Sequence, residues 1–114
     1  MTAIRIVYVT TRDATQAREL GRSLIEQGLV ACANILPEME SIYRWEGELR
    51  QETEAVLLLK TEERLVAQVI AAVEKLHSYE TPCALSLNVE EGSERYVAWL
   101  SSELKSGSSR SPAP

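Results

Sequence analysis

The chain has 114 residues, 45% of them hydrophobic and 25% charged, a balance that suits one domain with one core and excludes a disordered or fibrous chain. Twelve Lys and Arg against seventeen Asp and Glu leave a net charge of −5, which opposes broad contact with a phosphate backbone and sets nucleic acid aside as a partner. A lone histidine cannot build a multi-histidine metal centre, and two cysteines, Cys32 and Cys83, cannot build a disulfide framework.

The opening residues MTAIRIVYVTTR show no basic start, long apolar run and small-residue cleavage site in succession, so a cytoplasmic protein with reduced thiols is expected. No apolar stretch is long enough to span a bilayer, which sets a membrane aside. Ile4 to Thr10 is β-branched and aromatic, apolar on both alternation phases after Arg5, and reads as a central strand covered on both faces. Asp13 stands three residues before Gln16, a helix start signature, and Ala14, Ala17, Leu20, Leu24 and Ile25 follow at helical spacing until Gly28 stops the helix.

The segment LVACANIL is a short apolar strand, and Pro37, which lacks a ladder donor, is expected to interrupt it before a second extended piece, ESIYRW. Glu46 and Gly47 then turn the chain into ELRQETEAVLLLKT, polar in its first half and apolar in its second, so a long hairpin runs from solvent into the core. Thr61, with Glu62 and Glu63, is expected to cap the next helix, whose buried stripe is Leu65, Val66, Val69, Ile70 and Val73. His77 to Pro82 form an exit loop, and CALSLNV reads as a strand burying Cys83, Leu85, Leu87 and Val89 on one face. Gly92 and Ser93 open a last amphipathic helix carrying Tyr96, Val97, Leu100 and Leu104.

This order is βαββαβ plus one helix: an α+β, ferredoxin-like fold over residues 1–104, with both long helices on one face of an antiparallel sheet. Residues 105–114, KSGSSRSPAP from Lys105, have no large apolar side chain to bury and read as a disordered tail.

Fold alone does not fix function. No phosphate loop, CxxC or HxxxH occurs, and TTRDAT with Arg12 is too weak a signal for an anion loop of the acylphosphatase kind. Tyr43 and Trp45 share one face of a hairpin that outreaches two helices, and exposed rings beside a long unpaired edge invite a second copy of the chain. His77 in a loop is a hydrogen-bonded structural residue or a ligand, and each cysteine is a small hydrophobe or a soft ligand.

Three stretches in this order, LVACANILPEMESIYRWEGELRQETEAVLLLKT, LHSYETP and GSERYVAWL, resemble the CutA divalent-cation tolerance family from about Ile4 to Leu104. The resemblance implies a homotrimer whose hairpins pair between subunits, and a role in tolerance of copper and other divalent cations. It also implies that Cys32, Asn34, Trp45, Lys60, His77, Tyr79 and Glu80 gather near an intersubunit cleft. Ser78 and Cys83 depart from the family's usual proline and acid, and places that hold a cysteine and a second histidine in some relatives fall here at the Tyr8–Val9 region and Leu76. The resulting expectation is a non-enzymatic trimer, with Tyr43 and Trp45 at its interface, that takes up copper(II) or zinc through His77, Cys83 and Glu80. The alternative is a trimeric sensor resembling the PII regulators, in which Lys60 and backbone groups bind a small anion or metabolite.

Overall fold

The computed structural model describes residues 3–106 and gives the expected α+β, ferredoxin-like order. Strand β1 is Ile4–Thr11, helix α1 Ala14–Glu26, β2 Cys32–Trp45, β3 Glu48–Glu62, helix α2 Val66–Leu76, β4 Ala84–Val89 and helix α3 Glu94–Ser102. The four strands form one antiparallel sheet in the order β2-β3-β1-β4.

The Asp13 side chain accepts the N–H of Gln16 at the start of α1, and Gly28, at φ 73°, ends it with its N–H on the Ile25 carbonyl. Val7, Val9, Ala55, Leu57 and Leu59 point from the two central strands into Ala17, Leu20, Leu24, Val69 and Val73 of α1 and α2, forming the core. Ile25, placed on the helix's apolar stripe in the sequence, is instead 44% exposed, at the rim of a shallow groove it shares with Ala33 and Ile35 of β2.

Pro37 does not break the strand. β2 runs through it with one extra residue, as Leu36 pairs with Val56 and Met39 with Glu54, so the prolyl nitrogen falls in a bulge where no ladder donor is needed. Glu46 at φ 51° and Gly47 at φ 83° make the expected two-residue turn, which fixes the register of Trp45 against Glu48. The hairpin accounts for the long axis of a body measuring 53 × 27 × 24 Å.

Thr61 caps nothing. It is the next-to-last residue of β3, fully buried, and its hydroxyl donates to the Leu29 carbonyl at 2.7 Å; a 3-10 turn, Glu63–Leu65, then leads into α2. A β-branched residue already paired in a ladder keeps extended dihedrals, and that tertiary bond outweighs the local capping signal.

The face predicted to be buried on β4 is also different. Leu85 and Leu87 are 59% and 49% exposed, because they share the sheet face with Ile6 and Tyr8, opposite α1 and α2. α3 covers only one end of that face, where Lys60 donates to the Tyr96 hydroxyl at 3.1 Å and the Ser101 hydroxyl meets the buried Glu62 carboxylate. The backbone N–H of Lys105 donates to the Gly28 carbonyl and Arg64 donates to the Lys105 carbonyl, so the start of the expected tail is tied to the body; residues 107–114 lie outside the described residues.

Candidate functional site

The bulge and the turn place the odd-numbered residues of outer β2 and the even-numbered residues of β3 on one face of the hairpin. Beneath that face lies a cavity of about 730 Å³, lined among others by Tyr8, Tyr43, Trp45, Glu54, Tyr79 and Cys83. Its floor is a hydrogen-bonded lattice. Glu54, 8% exposed, accepts the Ser41 hydroxyl at 2.7 Å on one carboxylate oxygen and the Tyr79 hydroxyl at 2.9 Å on the other. Tyr43 donates to Glu52 at 2.7 Å.

These bonds raise both phenol pKa values. For Tyr79 burial is the larger cause, followed by the Glu54 bond; for Tyr43 the Glu52 bond leads. Burial also pushes the Cys83 thiol up, with hydrogen bonding to Thr10 offsetting part of it. Near neutral pH the cavity therefore presents neutral phenols and a neutral thiol, none of them an activated nucleophile.

His77 is buried behind the loop and does not line the cavity. The backbone N–H of Tyr79 donates to Nδ1 at 3.0 Å, which puts the ring proton on Nε2, and that N–H donates to the Thr10 carbonyl at 2.8 Å. Both nitrogens are thus occupied by protein, and the ring packs 4.5 Å from that of Tyr79. Ser78 is held by the Gln16 amide at 2.7 Å, which ties the loop to the start of α1, while the Gln16 carbonyl accepts the Arg12 N–H.

Within one chain, the residues expected near an intersubunit cleft, His77 apart, lie in two groups. Trp45, Tyr79, Glu80 and Cys83 line the cavity under the hairpin, together with Tyr43. Cys32, Asn34 and Lys60 lie at the opposite end of the sheet, where Cys32 pairs with Lys60 across the ladder and Asn34 with Leu58. The Lys60 ammonium, on which an anion-binding alternative depends, sits 5.2 Å from the Tyr96 ring centre and donates to its hydroxyl. Among the described residues no three His, Cys, Asp or Glu side chains are grouped to hold a metal ion.

Glu54, Glu52, Ser41 and Gln16 carry the site's polar connections, and the sequence marks none of them as a site residue, Gln16 standing out only as part of a helix start. The signal was available for Glu52 and Glu54: the Glu46–Gly47 turn sets a register that puts both on the face of Tyr43 and Trp45.

A model of the CutA1 divalent ion tolerance protein matches residues 5–103. The chain belongs to the CutA1 divalent ion tolerance family. Among CutA relatives, the divalent-cation tolerance protein CutA of Thermus thermophilus is 37% identical over 83% of this chain and 92% of its own length. The chloroplastic CutA protein of Arabidopsis thaliana is 35% identical over 83% of this chain and 52% of its own. The chain spans between about half and two thirds of the length of the eukaryotic CutA relatives first matched. The crystal structure of CutA1 from Oryza sativa superposes with a TM-score of 0.88 at 33% identity, covering 91% of this chain and 95% of that one. No helix among the described residues is long and apolar enough to cross a membrane.

Proposed function

We propose that this CutA1 chain works as a homotrimer that confers tolerance to divalent cations by binding them, copper(II) or zinc, at clefts between subunits. The observation that carries the assembly is the uncovered sheet face: Ile6, Tyr8, Leu58, Leu85 and Leu87 lie on the side away from α1 and α2, and β2 is an unpaired edge along its whole length among the described residues. A neighbouring subunit on that face buries the leucines and gains contact with Tyr43 and Trp45 on the continuous hairpin face.

Cation binding at the cleft is supported by Glu80 and Cys83 at the loop end of the cavity, with donors from a second chain completing what one chain lacks. His77 joins such a set only if one ring nitrogen gives up its present partner, the Tyr79 N–H at Nδ1 or the Thr10 carbonyl at Nε2. A binding role rather than a catalytic one fits the neutral phenols and thiol of the cavity. A reducing cytoplasmic compartment fits two free cysteines at opposite ends of the sheet, although the Arabidopsis thaliana relative is named as chloroplastic.

The test is calorimetry with zinc and with copper(II) on the full chain, alongside light scattering. Three chains per particle and a saturable heat that weakens between about pH 7 and pH 5, as protons compete for the donors, are expected. Cys83→Ser should lower affinity at least ~10-fold, and an equal loss in His77→Ala would place the histidine among the ligands. A monomer at micromolar concentration, or metal binding unchanged in both variants, overturns the corresponding half of the proposal.

A further inference from the structure

Four aromatic side chains, Tyr8, Tyr43, Trp45 and Tyr79, line the cavity under the hairpin. Two of the rings are fixed through their hydroxyls, Tyr43 on Glu52 and Tyr79 on the buried Glu54. A phenol that donates to a carboxylate carries more negative charge in its ring, and the face of such a ring attracts a cation. Four carboxylates, Glu40, Glu52, Glu54 and Glu80, line the same space against the one guanidinium of Arg50, so the lining carries a formal charge of −3 (one positive less four negative).

The chemistry of these groups selects among cations. Both oxygens of Glu54 are taken by hydroxyls, and one oxygen of Glu52 is taken by Tyr43. A small, strongly hydrated ion needs several free oxygens at once to replace its water. A methylated ammonium group spreads its charge over apolar carbons, needs no direct oxygen ligand, and gains from ring faces backed by negative charge. A volume of about 730 Å³ is that of a small-molecule site and leaves room for such a head beside Glu80 and Cys83.

We infer that this cavity binds an organic cation with a methylated ammonium head, held against the rings of Tyr43 and Tyr79 with Glu52 and Glu54 behind them. The site goes beyond tolerance of divalent ions. It rests on the trimer reading in one respect: the neighbouring subunit on the uncovered sheet face closes the open side of the cavity.

Tetramethylammonium chloride is the probe, titrated into the full chain with sodium chloride holding the ionic strength constant. Binding is read by calorimetry and by Trp45 emission in a Trp99→Phe background. A saturable response is expected, weakened at least ~10-fold by Tyr79→Leu and kept within about threefold by Tyr79→Phe, which retains the ring. If Tyr79→Leu fails to fold by circular dichroism, Tyr43→Leu on the hairpin takes its place with the same expectation. No response beyond that of sodium chloride, or unchanged affinity in the ring-deleting variant, overturns the inference. Trimers by light scattering that ignore tetramethylammonium refute this site and leave the assembly standing; a monomer that binds it does the reverse.

Discussion

The hydroxyl of Tyr79 donates to Glu54 at 2.9 Å, joining the loop after α2 to the middle of the hairpin across 25 residues of sequence. The bond also ties two opposing demands together. Glu54 is nearly buried and needs donors for both carboxylate oxygens, and His77 accepts the N–H of Tyr79, one of those two donors. Tyr79→Phe leaves one oxygen of a buried carboxylate unsatisfied and should destabilise the fold by about 1–2 kcal/mol, read by urea denaturation at neutral pH.

The same residue gives a pH signature. The phenol of Tyr79 is raised above its ordinary value of 10.0, so the folded chain keeps a proton that the unfolded chain releases. Its contribution is therefore complete below pH 10 and is lost as pH rises above it. Stability should fall above that point in the parent and fall less steeply in Tyr79→Phe; parallel curves in alkaline urea titrations would contradict the assignment.

Gly21 separates helix propensity from packing. In an exposed helix, glycine to alanine gains about 1 kcal/mol. Here a Cβ at position 21 would stand 2.9 Å from the Cβ of Ala33, an atom fixed to the β2 backbone. Overpacking of this kind costs about 1–3 kcal/mol, so Gly21→Ala should lower the melting temperature despite its better propensity. A rise would show that α1 can move off the sheet at little cost.

At the hairpin tip the backbone decides. Gly47 has open space around a Cβ, yet its φ of 83° belongs to the left-handed region, and Gly47→Ala should cost about 1 kcal/mol through conformation alone. Glu46, at φ 51°, occupies the same region with a side chain that gains nothing there, so Glu46→Asn should stabilise by a few tenths of a kcal/mol. Paired thermal melts of the two variants, moving in opposite directions, are the expected outcome.

The uncovered sheet face is tested by charge. Leu85→Asp with Leu87→Asp places two carboxylates where a neighbouring subunit is proposed to sit, and light scattering should find monomers. Within one chain both positions are exposed, so circular dichroism should still report the native secondary structure. An intact trimer in the double variant would remove these residues from the interface.

The sequence by itself determined the element order, the hairpin turn and the ends of α1, because each depends on contacts a few residues apart. Asp13 caps Gln16, Gly28 adopts a left-handed dihedral, and Glu46–Gly47 turn the chain, all through local backbone chemistry. The family, too, was legible in three short stretches. What only the tertiary structure decided lies where a residue's partner is distant in sequence. Thr61 carries a capping signal but spends its hydroxyl on Leu29, 32 residues away, and so extends a strand instead. Leu85 and Leu87 alternate as a buried face does, and periodicity reports that they share a face without saying whether this chain or another one covers it. Likewise, residues that the family resemblance groups near an intersubunit cleft lie toward two ends of the sheet within one chain, because strand register places Lys60 beside Cys32 and Glu54 beneath Tyr79. Register is fixed by the bulge at Pro37 and by the turn together, and a one-residue change at the bulge would send Cys32 to the opposite face of the sheet.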